Sequence, residues 1–169
     1  MRTLLFKSIF QTPATTKAPV ACPDALEELG RQVDRKARAL LGRSLAIRAV
    51  DAGSCNGCEL EIHAIENAFY DVSRFGIRFV ASPRHADVLQ VTGPVSLNMK
   101  VALERTYAAM PAPKWVIAAG DCACNGCVFK GSYACAGSVD EILDVDLHIP
   151  GCPPSPQVLL QSLLALLDG

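Results

Sequence analysis

Residues 45–62 read LAIRAVDAGSCNGCELEI. An apolar run at 45–50 gives way to a turn holding Gly53 and Gly57 and the pair Cys55 and Cys58, and then to a helical stretch expected over 59–70. A short apolar strand that turns through glycine into a helix is the opening unit of a strand–crossover–strand arrangement. The alternation continues outward: further strands are expected at 77–81, 88–92, 114–119 and 144–149, and helices at 96–109 and 155–167. This order predicts an α/β fold, a parallel sheet flanked by helices and flavodoxin-like in type.

Upstream the pattern is different. Residues 1–22 carry Pro13, Pro19 and a threonine-rich stretch, and read as an arm with little structure of its own. After Pro23, Asp24 is placed to cap a helix in which Leu26, Leu29, Val33, Ala37, Leu40 and Leu41 recur at helical spacing as far as Gly42. The opposite face bears Glu27, Glu28, Arg31, Arg35, Lys36 and Arg38, the composition of a solvated face. A single amphipathic helix ahead of a domain has to dock somewhere, on its own sheet or on a partner. We therefore divide the chain into an arm and amphipathic helix, 1–44, and a site-bearing domain, 45–169; no internal repeat is visible.

Composition narrows the function. The 16 basic side chains nearly cancel the 17 acidic ones, leaving a net charge of -1, which gives no support to a nucleic-acid surface. Eight cysteines in 169 residues is the anomaly. The first ten residues supply too short an apolar core for an export signal, and the apolar run 158–167 is too short to span a bilayer, which takes about 20 residues. The expectation is a reducing cytoplasm, where clustered cysteines serve as metal ligands or redox groups.

Cys55 and Cys58 follow the first strand, Cys122 follows the strand at 114–119, and Cys152 follows the last strand. In an open parallel sheet the carboxyl ends of the strands share one edge, where ligands bind. Distant cysteines can converge there into a soft, all-sulfur site suited to zinc or to iron–sulfur. The C-x-x-C pair alone is shared by zinc knuckles, thiol redox sites and clusters. Cys152 stands in GCPPSP, where proline fixes the chain beside the sulfur, and no second C-x-x-C accompanies it. One pair with two widely spread single cysteines suits a cubane cluster in a crevice better than a zinc ribbon. A zinc-stabilised, non-catalytic assembly protein is the alternative from another class. No hydrolase triad, phosphate loop or dinucleotide fingerprint is present.

The segments CNGCELEI at 55–62, SPRHADVLQVTG at 82–93, KWVIAAGDCACNG at 114–126 and VDLHIPGCPPSP at 145–156 resemble the small-subunit family shared by respiratory complex I and membrane-associated nickel–iron hydrogenases. That resemblance implies a flavodoxin-like domain with a single proximal 4Fe-4S cluster on Cys55, Cys58, Cys122 and Cys152. It also implies partners: a hydrogenase large subunit (complex I 49 kDa-like) carrying the [NiFe] centre and the active site, a ferredoxin-like iron–sulfur subunit, and membrane subunits that hold the complex at the cytoplasmic face of the inner membrane. The spaced pair Cys55-Asn-Gly-Cys58 and His85 look like the energy-converting hydrogenase and formate hydrogenlyase branch; a complex I-like quinone reductase subunit, which typically has adjacent cysteines, is the alternative.

Three cysteines depart from the family pattern. Cys124, Cys127 and Cys135 are expected as small residues in tight loops, with the competing reading that Cys124 or Cys127 replaces Cys122 as a ligand. Cys22 lies in the arm as a bystander. Glu59 and Glu61 follow the cysteine pair and suit the start of a helix through its dipole; by resemblance, Glu61 in particular is a candidate for proton movement near the partner's active site. Arg84 is a candidate to neutralise a reduced cluster or a partner's carboxylate. His63, His148 and Trp115 are expected to be structural.

Overall fold

The computed structural model describes residues 23–168. Five strands form one parallel sheet: β1 (Leu45–Asp51), β2 (Ile77–Phe79), β3 (Val88–Thr92), β5 (Trp115–Ala119) and β7 (Leu147–Ile149), in the order β2-β1-β3-β5-β7. Counted along the chain, the order places the second strand outside the first and the rest on the other side, the flavodoxin-like doubly wound arrangement. The central strand β3 is buried along its whole length, and its sequence, VLQVT, runs apolar on both faces around one glutamine. Both faces of a covered parallel sheet make that demand.

Alternation along the strands builds two cores. Leu45, Ile47, Val88, Ile117 and Ala119 point to one face, where α1 (Pro23–Leu41), α2 (Gly57–Ile65) and α5 (Pro156–Asp168) supply Val33, Ile62, Ile65, Leu159 and Leu160. Val50, Leu89, Val91, Val116 and Ala118 point to the other, covered by α3 (Leu97–Ala108) and the segment from α4 (Asp121–Asn125) to Leu143. Burying each of the valines, leucines and isoleucines contributes roughly 1.5–3 kcal/mol, so two filled faces dominate the stabilisation.

The helix at 23–41 docks on this sheet. Val33 and Ala37 are buried in the first core, and Lys36 pairs with Asp168 of α5. Gly30 is required by close approach: a Cβ there would lie 2.4 Å from the Phe75 ring. The outer face carries the pairs Arg31–Glu27 and Arg38–Asp34 one turn apart, worth a few tenths of a kcal/mol each. The arm, Cys22 and the side chain of Asp24 lie outside the described residues.

Three expectations need correction. The helix expected at 59–70 runs over Gly57–Ile65. It stops early because Asn67 Oδ1 accepts the amides of Phe69 and Tyr70, closing a local turn that competes with the helix. The strand expected from 144 begins at Leu147, because Asp146 is engaged on Val116, its carboxylate accepting the Val116 amide at 2.7 Å. An antiparallel ribbon of β4 (Val95–Ser96) and β6 (Cys135–Gly137) was not expected; two and three residues are too few to show alternation.

Candidate functional site

The β5–β7 ladder continues past the strands and sets the loops that follow. Gly120 N donates to Ile149 O at 2.8 Å, and Asp121 N donates to Gly151 O at 2.9 Å. Asp121 Oδ1 in return accepts the Gly151 amide at 2.8 Å. Cys122 and Cys152 are thereby held on two loops stitched to each other. On the first loop, Asp51 Oδ1 accepts the amides of Gly53 and Ser54, turning the chain from β1 into α2. Asn56 takes a left-handed conformation at φ 71° to start that helix.

These loops enclose a cavity of about 110 Å³ lined by Cys55, Cys58, Cys122 and Cys152, with Ser54, Asp121 and the glycines 57, 93 and 151 among its walls. The four cysteines singled out from the sequence thus come together from three separate loops. Glycine is what lets the walls approach. A Cβ at Gly120 (φ +94°) would lie 2.5 Å from Cys58 Sγ, and one at Gly93 would lie 2.4 Å from Ser54 N.

The thiols sense one another and their burial. Burial pushes the Cys58 thiol up to about 12, assisted by the Glu59 carboxylate and by Cys55, Cys122 and Cys152. Burial also pushes Cys122 up to about 11, assisted by Cys127 and then by Cys152 and Cys55. Cys58 and Cys122 thus resist becoming thiolates on their own, and a bound metal would reverse that opposition. The donor set is therefore suited to a soft, multiply charged centre. Among the described residues, no three His, Cys, Asp or Glu side chains are arranged to hold a single metal ion.

The other described cysteines do not line the cavity, although Cys127 adjoins Cys122 from outside it. Cys124 Sγ turns away under the sheet, donating to Ala118 O at 3.4 Å and packing against the second core. Cys127 is exposed just beyond α4, in a left-handed conformation at φ 44°. Cys135 is half-buried in β6, paired with Ser96. None of the three lines the cavity.

Glu59 is half-buried. Its Oε2 accepts from Ser54 Oγ at 2.6 Å, whereas its Oε1 is buried with no partner among the described residues. Glu61 is half-buried two residues further along α2. Arg84 lies away from the cavity, beside Arg43, Arg78 and His85. Trp115 packs against the first core and His148 pairs with Asp140 at 2.7 Å. Sequence reading missed Asp121, whose carboxylate joins the two single-cysteine loops; its position directly before Cys122 after a strand was the available signal.

The molecule is an open, doubly wound α/β sheet with a thiol-walled cavity at its carboxyl edge. Residues 55–166 match the family model described as NADH ubiquinone oxidoreductase, 20 Kd subunit, and the chain belongs to that family. It is 44% identical over 128 residues to a probable membrane-bound hydrogenase subunit of Pyrococcus furiosus, covering 76% of this chain and 77% of the relative. It is 48% identical over 111 residues to an NADH-quinone oxidoreductase subunit of Citrifermentans bemidjiense, covering 66% of this chain and 65% of that protein's length. In structure it is similar to a chain of the membrane-bound sulfane sulfur reductase, an archaeal respiratory membrane complex. That match has a TM-score of 0.67 and 30% identity, and covers 82% of this chain and 74% of that one. The chain is an electron-carrier subunit of the complex I and hydrogenase type.

Proposed function

We propose that Cys55, Cys58, Cys122 and Cys152 hold one 4Fe-4S cluster, and that the chain passes electrons within a membrane-associated nickel–iron hydrogenase complex. The observation that carries this reading is the convergence of four thiols, from three loops at one sheet edge, on a single cavity. When bound, such a cluster accepts and returns single electrons, at a potential set by its charge, hydrogen bonding and exposure.

The chain's own residues define what the site does around that group. The first turn of α2 borders the cavity through Gly57 and Cys58, so the positive end of its dipole favours negative charge there. Asp121 keeps the two single-cysteine loops in register. Glu61, which the resemblance favours, and Glu59, with one oxygen on Ser54 and the other unpartnered among the described residues, are the two candidates for proton movement beside the cavity.

Exposed apolar side chains suggest where a partner docks. Leu97 N donates to Ala134 O, which brings the start of α3 against the loop after α4. Leu97, Val101, Val128, Phe129 and Tyr133 are all exposed there, Tyr133 by 95%. Such a surface suits a large subunit that carries the [NiFe] centre, with a ferredoxin-like subunit as the other electron partner. No described helix is long and apolar enough to cross a membrane. Attachment at the cytoplasmic face would come through membrane subunits.

The spaced pair Cys55–Cys58 and the hydrogenase relative favour hydrogenase over a quinone-reducing complex. The comparable identity to the quinone oxidoreductase relative keeps the latter as the second reading. The test is the nickel, iron, zinc and acid-labile sulfide content of the complex purified anaerobically through this chain. Nickel with iron and sulfide is expected. Iron and sulfide without nickel would move the assignment to a quinone- or sulfur-reducing relative, and zinc alone would overturn the electron-transfer role.

A further inference from the structure

A second basin lies on the other face of the sheet, at the edge strand. The chain passes from β2 to β3 across β1 in eight residues, with only a short 3₁₀ turn, Pro83–His85, instead of a helix. Under this thin cover the face of β2 is left without a helix, and arginines fill the space. Arg43, Arg78, Arg84 and His85, with Val80 as the floor, line an open basin of about 440 Å³.

Among the described residues, one of these cations has a carboxylate partner. Asp87, 1% exposed, accepts a bidentate fork from Arg43 at 2.5 and 3.0 Å and the Ala46 amide at 2.9 Å. The pair fixes the Arg43 guanidinium while leaving it partly open to the basin. Among the described residues neither Arg78 nor Arg84 has a carboxylate partner. Arg48 alternates onto the same sheet face as Arg78, because Ala46, two residues before it, stands opposite Arg78. Its Nε is buried with no hydrogen-bond partner among the described residues.

We propose that this basin binds a phosphoryl oxyanion, either of a soluble phosphate compound or of an anionic lipid headgroup. A carboxylate presents two oxygens in one plane, and a single guanidinium satisfies both, as Asp87 and Arg43 show. The remaining guanidinium forks and the imidazole call for an acceptor with more oxygens, spread tetrahedrally, and more than one negative charge. Phosphoryl groups meet that demand, and planar guanidinium forks engage them bidentately.

The experiment titrates the anaerobically purified full chain with inorganic pyrophosphate at constant ionic strength, and separately with vesicles of phosphatidylcholine with or without phosphatidylglycerol. Saturable pyrophosphate binding is expected, weakened at least about tenfold by Arg84→Gln and by Arg78→Gln. Lys130→Gln, a change at an exposed cation outside the basin, should leave it unaltered. Arg84→Lys, which keeps the charge and loses the fork, should fall between. Far-ultraviolet circular dichroism of each variant confirms the fold. Binding to phosphatidylglycerol vesicles that pyrophosphate displaces would identify a headgroup as the source, and pyrophosphate binding without vesicle binding a soluble phosphate. Absence of both, equal weakening by Lys130→Gln, or preference for a glutamate-rich peptide over pyrophosphate would overturn the proposal.

Discussion

The two ends of the sheet are built from different chemistry. At the amino ends, aspartates close the structure: Asp87 accepts the Ala46 amide and the Arg43 fork, and Asp146 accepts the Val116 amide. Each ties the entry of one strand to its neighbour, and each is satisfied by the protein. At the carboxyl ends, glycines 93, 120 and 151 pull the loops close, and what they surround is four thiols, of which burial pushes Cys58 and Cys122 up. The aspartates of one end have their partners within the chain, whereas the thiols of the other face a common cavity. Variants at the two ends should therefore separate: amino-end changes should move the melting temperature, and carboxyl-end changes the metal content.

The largest effect is expected for Cys58→Ser. Cys58 is the most strongly opposed thiol in the cavity, held there by burial and by all three of the other sulfurs. Under the proposed ligand set, iron and sulfide in the purified chain should fall from about four each toward zero, or to a three-iron remnant. Iron analysis and electron paramagnetic resonance of the reduced protein check this. Unchanged cluster content would remove Cys58 from the ligand set and erase the proposed asymmetry.

At the opposite end, Arg43→Met leaves the Asp87 carboxylate, which is 1% exposed, with only the Ala46 amide. Stranding a buried charge costs several kcal/mol; with Arg43 itself half-exposed, about 2–4 kcal/mol is expected. Denaturant unfolding should show this loss with iron per folded chain unaltered. Gly120→Ala comes next and should do both. Its Cβ would press on Cys58 Sγ from a backbone at φ +94°, which costs roughly 1–3 kcal/mol and lowers cluster retention together. A Gly120→Ala protein with normal iron would show that Cys58 can be displaced without consequence.

Much of this asymmetry was legible in the sequence. The predominantly apolar runs at 45–50, 88–92 and 114–119 became β1, β3 and β5 nearly to the residue, because strands of a covered parallel sheet are largely apolar on both faces. Strand-then-cysteine order was enough to bring Cys55, Cys58, Cys122 and Cys152 to one edge. What escaped reading depends on side chains that compete with regular structure. Asn67 ends α2 by capping a turn, and Asp146 delays β7 by reaching across to β5. Neither action is encoded in apolar periodicity. The arginine basin escaped for a different reason: Arg43, Arg78 and Arg84 stand in three segments, and only the short crossover between β2 and β3 brings them together.

The smallest expected effect sharpens the comparison most. Cys124 lies two residues from Cys122, on the same short helix, so proximity in sequence would make it as good a ligand. Its sulfur instead turns under the sheet to Ala118 O and Ile149 O, where burial pushes the thiol up to about 11. It has its partners within the chain although it stands at the carboxyl edge. Cys124→Ala removes one weak hydrogen bond and a little packing, a loss of about 1 kcal/mol or less, and should leave iron content and the resonance of the reduced protein unchanged. Loss of iron in this variant, at unchanged stability, would mean that the loop rearranges to present Cys124. The division between the two ends would then follow the bound group and not the fold.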